Sequence, residues 1–222
     1  MRDTLIVLNN EWRSFMNGDR GLFVVYAVMI TGWGFLIATW KSFLLFFAPF
    51  WLASFSVIIA ATFANSVFVA ERISGSLEIL LTSGISRSGI LCGKLSFIVV
   101  TTMVVGALCM AIAAIVRLLL PGALAGPDVF IGVSGILVYL GASFMTAASS
   151  AYFSVLLPNP RVLHFINLFI VIFLVCCYST AALVWHIPLY VLALILFLFG
   201  ALFLAFAKKE FEGEKITKLI IL

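Results

Sequence analysis

The sequence predicts an all-α integral membrane protein with six transmembrane helices preceded by an N-terminal amphipathic interfacial helix. Three observations carry that expectation. First, the chain is 64% apolar and 10% charged, with a mean hydropathy of +1.27; soluble domains are about half apolar and a quarter charged. A water-soluble fold could not hide that much hydrocarbon, so lipid is the solvent for most of the chain. Second, the apolar residues fall into six runs, each long enough for the roughly 20 residues that cross about 30 Å of hydrocarbon. Third, residues 1–20 place Leu5, Leu8, Trp12 and Phe15 at three- and four-residue steps, while Asp3, Asn10, Arg13 and Asp19 fall elsewhere. That spacing describes a helix lying in the interface, with Trp12 at headgroup level.

The spans follow in order. The first is 21–40, ending at Trp40-Lys41, and the second is 43–70, with Pro49 near its start. The third, 91–119, is closed by Pro121-Gly122, and the fourth, 129–157, by Pro158-Asn159-Pro160-Arg161. The fifth is 162–184 and the sixth 188–207, with Trp185-His186-Ile187-Pro188 between them. Together they make one transmembrane domain, 21–207, followed by a tail, 208–222. No cleavable signal peptide is expected, because the first apolar run starts only after Gly21 and is long enough to span.

Lys and Arg set the orientation. One side receives Arg2, Arg13, Arg20, Arg72, Arg87, Lys94, Arg161, Lys208, Lys209, Lys215 and Lys218; the other receives only Lys41 and Arg117. The positive-inside rule then places both termini and residues 71–94 in the cytoplasm. The expected setting is a cell membrane crossed several times, that of the bacterial inner membrane. The net charge of +4 is a topology signal, and no basic stripe on an exposed domain points to nucleic acid.

No Asp, Glu, Lys or Arg sits at the middle of any span. Ion-coupled transporters usually carry such charges as relays, and many show internal repeats that this chain lacks. Energy for any transport would therefore come from elsewhere. The few polar groups within the bilayer, Ser54, Ser56, Thr62, Asn65 and Asn167, read either as helix-to-helix hydrogen bonds or as the lining of a substrate pathway. In the fourth span Ser143, Ala147 and Ala151, spaced by four, let a neighbouring helix approach closely. Cys92, Cys109, Cys176 and Cys177 all fall in or beside apolar runs and read as small packing residues. His164 and His186 lie near opposite membrane faces, so they cannot share a metal ion within one subunit. Neither a catalytic nor a metal site is expected.

The longest polar interruption is 71–94, ERISGSLEILLTSGISRSGILCGK. It reads as two short helices joined by a turn. Gly75 and Ser76 sit where the first helix starts, and Glu78 falls in its first turn, where the helix dipole favours negative charge. Leu77, Leu80 and Leu81 share one face at i, i+3 and i+4. Thr82-Ser83-Gly84 ends that helix, and Ser86 caps the next segment. Three leucines on a short cytoplasmic helix require cover, from the bilayer or from a groove on another protein.

The run Glu71-Arg72-x-x-Gly75-Ser76-Leu77-Glu78-x-Leu80-Leu81, with Ser86-Arg87 and Gly93-Lys94 after it, resembles the signature of ABC-2 family permeases. In that family it sits between the second and third of six spans, and an amphipathic helix precedes the first, the same layout as here. Ile73 replaces the family's usual third acidic residue, and Gly84 stands where proline is common. The resemblance implies an ABC-2 exporter-like fold and a half-transporter: a homodimer of permeases receiving two copies of a separate ATP-binding subunit. Docking would fall on Glu71, Arg72, Gly75, Ser76, Leu77, Glu78, Leu80, Leu81, Ser86 and Arg87. ATP and Mg2+ would belong to that ATPase partner, with no cofactor on this chain and no enzymatic role for it. Its nearest imitation of a nucleotide site, Gly93-Lys94-Leu95, lacks both the upstream glycine and the following Ser or Thr. The family often carries a re-entrant hairpin between the fifth and sixth spans, and here any such hairpin, around 178–188, would be short. Two other readings stay open: a haem-exporter B type permease of cytochrome c maturation, which shares the length, six spans and a G-S-L-E segment, and a membrane-embedded lipid-modifying enzyme.

Overall fold

In a computed structural model, residues 2–17, 20–39, 48–69, 85–119, 132–157 and 162–212 are described. These residues contain seven α-helices: α1 (Arg2–Met16), α2 (Arg20–Thr39), α3 (Ala48–Ala64), α4 (Arg87–Leu119), α5 (Val133–Leu156), α6 (Val162–Trp185) and α7 (Leu189–Glu212). A π-helical turn, Asn65–Val69, extends α3. The all-α expectation holds across the described residues. Five apolar segments, in α3 with its π-turn and in α4, α5, α6 and α7, are long enough to cross a membrane, while the apolar stretch of α2, Tyr26–Ala38, is shorter. This is a multi-pass membrane architecture by helix length and composition.

Neighbouring contacts fix how the helices run. Along α2 and α4, Gly34 meets Cys109 and Ile112, and the Arg117 guanidinium donates to the Ile37 carbonyl (3.3 Å), so these two helices are parallel. Along α3 and α4, Phe63 meets Phe97 and the Val67 carbonyl meets Lys94, so those two are antiparallel. The α5 and α7 pair packs most extensively and is parallel: Gly141 lies on Ala193 and Leu196, and Tyr152 lies against Phe203 and Phe206. Ser143, Ala147 and Ala151 are fully buried, as their small size at helical spacing demands.

Two elements depart from expectation. α1 does not lie alone in the interface; it runs lengthwise along the start of α4, with Val7 and Glu11 buried. The reason is the length of α4. Its 33 residues span about 50 Å, about 20 Å more than the hydrocarbon needs. The surplus turns give α1 a surface to pack on. The second departure lies between α6 and α7, which are joined by His186, Ile187 and Pro188 alone, leaving no room for a re-entrant hairpin. His186 adopts φ 51°, its N–H bonds the Ala182 carbonyl (2.9 Å), and Tyr178 Oη donates to the Ile187 carbonyl (2.9 Å). A left-handed residue followed by proline is a standard way to end a helix. His186 therefore ends α6 as a left-handed turn residue.

The cysteines also divide. Cys109 is buried, while Cys92, Cys176 and Cys177 lie exposed on the bundle surface, so the packing role holds for Cys109 alone.

Candidate functional site

The docking residues expected from sequence mostly lie outside the described residues: Glu71, Arg72, Gly75, Ser76, Leu77, Glu78, Leu80 and Leu81. What is described is the pair of helix ends from which that segment springs, and these ends form a built cluster. α4 begins at Arg87, and the Ile90 N–H bonds the Ser86 carbonyl (3.0 Å), which makes Ser86 the N-cap residue. Its hydroxyl does not cap its own helix. Instead both the Ser86 N–H (3.1 Å) and its Oγ–H (2.7 Å) donate to Oδ2 of Asp3 on α1. The hydroxyl first, and the amide second, hold the Asp3 carboxyl below its ordinary pKa. A carboxylate at a helix N-terminus also complements the helix dipole.

Close approach of α1 needs glycine on α4. A Cβ on Gly93 would lie 2.7 Å from Val7 Cβ and 3.0 Å from the Thr4 carbonyl, and one on Gly89 would lie 2.8 Å from Asp3 Cβ. Gly89 and Gly93, four apart, thus form the trough into which Asp3, Thr4 and Val7 settle. One turn on, Glu11 completes the contact. Its Oε1 accepts a hydrogen bond from Lys94 Nζ at 2.7 Å, with the Lys94 side chain fully buried and that of Glu11 9% exposed. The same ammonium donates to the Val67 carbonyl at 3.3 Å and sits 6.0 Å from the Phe68 ring centroid. Val67 belongs to the π-turn, where the regular i→i−4 bonding is interrupted and a carbonyl is open to an outside donor.

α7 closes the cluster. Arg87 Nη1 donates to the Phe211 carbonyl (3.4 Å), and the Phe211 ring meets Phe68 edge-on with centroids 6.5 Å apart. Beneath the cluster Phe15, Tyr26, Phe63 and Phe97 join α1, α2, α3 and α4 with centroid separations of 5.2–6.2 Å. The last described turn before the 70–84 segment, through Val67 and Phe68, and the first turn after it, through Ser86 and Lys94, are therefore held by one set of contacts centred on α1 and Lys94. Ser86 and Arg87, expected as partner-docking residues, make intramolecular bonds here. Among the described residues, Arg2, Arg13, Arg87, Lys94, Lys208 and Lys209 lie toward this end of the bundle and Arg117 toward the other.

Of the five polar residues within the spans, Ser56 and Asn167 join one helix to another. Ser56 donates to the Tyr139 carbonyl across the α3–α5 contact (2.8 Å). Asn167 on α6 accepts from Ser149 (2.8 Å) and donates to Ser150 (2.6 Å), both on α5. Thr62 bonds back to the Ile58 carbonyl (2.7 Å), Ser54 is buried, and Asn65 opens the π-turn. Of the five, only Thr62 borders either of two cavities, a small one of about 150 Å³ between α3 and α6. The larger, about 330 Å³, lies among α2, α3, α4 and α5, with walls that include Ile37, Leu52, Phe55, Met110 and Tyr139.

Sequence reasoning missed Glu11 entirely, and took Lys94 only as part of a motif. A signal was present: an acid on the apolar-stepped side of α1, and a lysine just inside an apolar run. The sequence matches no protein-family model and no curated protein.

Proposed function

We propose that this chain is the membrane-spanning subunit of an ABC-2 type transporter, an exporter in which two permeases pair and a separate ATP-hydrolysing subunit docks on residues 71–87 of each. In this reading α2 is the first of six spans, since its 20 residues reach about 30 Å. The cluster end of the bundle faces the cytoplasm. One observation supports the reading above others: both helix ends that carry the docking segment are braced by α1, through Asp3 on Ser86 and through Glu11–Lys94 on Val67. A push on a loop rooted in loose helix ends would be absorbed locally. A push on braced ends is passed along α3 and α4, the helices that border the central contacts of the bundle. The leucines at 77, 80 and 81 supply the buried anchor, each worth roughly 1.5–3 kcal/mol, and Glu71, Arg72 and Glu78 orient the contact.

Affinity purification of the tagged chain from its own cells tests this. A nucleotide-hydrolysing subunit is expected with the wild type and not with Leu80→Asp, which should still insert normally. Retention of that subunit by Leu80→Asp, or its absence from the wild type, would contradict the docking role.

A further inference from the structure

We propose that the cavity among α2, α3, α4 and α5 binds one acyl chain of an acidic membrane phospholipid, whose headgroup is held by Arg117. The inference is independent of the transporter reading. The cavity of about 330 Å³ falls within the range of small-ligand pockets, about 300–1,000 Å³. Its walls are Ile, Leu, Phe, Met, Ala and Gly side chains and one tyrosine. That tyrosine, Tyr139, already donates its hydroxyl to the Thr102 carbonyl (2.8 Å), so the interior presents hydrocarbon. Two of the bordering residues, Ala107 on α4 and Ile136 on α5, are exposed on the apolar flank of the bundle. A ligand therefore arrives sideways, from lipid.

Charge identifies the rest of the ligand. Arg117 lies two turns beyond Met110 on the same face of α4, and Nη2 of its guanidinium donates to the carbonyl of Ile37, itself a wall residue (3.3 Å). The cation is thus held against the backbone of a cavity-wall residue. Its Nε is buried and has no hydrogen-bond partner among the described residues. A buried donor left unpaired is costly, and arginine's planar fork suits phosphate oxygens. Arg117 is also the sole Lys or Arg between Lys94 and Arg161. A hydrocarbon chain in the cavity and a phosphate on Arg117 satisfy both halves of the site.

Native mass spectrometry of the purified chain, exchanged into equal amounts of phosphatidylglycerol and phosphatidylcholine with the same acyl chains, tests it. The wild type should retain phosphatidylglycerol about fivefold better, the preference one basic side chain gives near a membrane surface. Arg117→Gln should bring the ratio close to one while chains remain bound. Ala107→Phe should lower retention of both lipids, and Ile136→Phe should do the same where Ala107→Phe fails to fold. Equal retention by the wild type, an unchanged preference in Arg117→Gln, or undiminished binding in both cavity-filling variants would overturn the proposal. So would a wild-type dimer that excludes lipid from the cavity and separates on Ala107→Phe, an outcome that assigns this face to a second copy.

Discussion

Lys94 holds three elements with one ammonium group: Glu11 of α1, the Val67 carbonyl of the π-turn, and its own helix α4. Removing one member of a buried pair takes from the other its opposite charge, which typically costs about 3–5 kcal/mol, whereas exchanging both for apolar groups of similar size is often neutral. Glu11→Leu and Lys94→Met are each expected to lose stability on that scale, and the double variant to recover most of it, as read by denaturant unfolding in detergent. If the two single losses simply add, the pair is not coupled. Asp3 gives a pH signature. Its folded-state pKa is depressed by the Ser86 hydroxyl and amide, so its contribution is complete above the ordinary carboxylate value of about 3.9 and fades as pH falls through the lower folded value. On acidification from pH 5 to 3, the thermal midpoint of the wild type should fall more than that of Asp3→Ala. Parallel declines would remove Asp3 from the cap.

Among the elements, α4 is the one whose length shapes the rest. A helix about 20 Å longer than the hydrocarbon needs has turns to spare, and its first turns, with Gly89 and Gly93 buried against α1, seat that helix. The α6–α7 turn shows the opposite economy, three residues and a reversal. His186 there holds a left-handed conformation at φ 51°, which disfavours a residue with a Cβ. His186→Gly should accordingly raise stability by about 0.5–1 kcal/mol, visible as a higher thermal midpoint. An unchanged or lowered midpoint would mean that the imidazole makes a compensating contact.

For the whole molecule, the gathering of cationic side chains at the α1 end predicts one orientation. Ser83→Cys in the 71–94 polar stretch should react with a membrane-impermeant maleimide only when the cytoplasmic face is opened, and Ala114→Cys, on an exposed part of α4 near its far end, should remain shielded by lipid. Labelling of Ser83→Cys in intact cells would reverse the orientation, and with it the proposed docking of an ATP-hydrolysing partner.

The sequence alone settled the solvent and the units. Long apolar runs, their breaks at proline and polar clusters, and the bias of Lys and Arg are one-dimensional properties, because the bilayer imposes a fixed thickness that any spanning helix must match. Thus the starts and ends of α5, α6 and α7 fell within a few residues of expectation. Tertiary structure decided what each polar residue inside the bundle is for. Asn167 joins α6 to α5, and Glu11 meets Lys94 across 83 residues of chain. Helical periodicity places such residues on a face but is silent about which helix covers it, and only the packing of separate helices brings a buried acid and a buried base to within 2.7 Å.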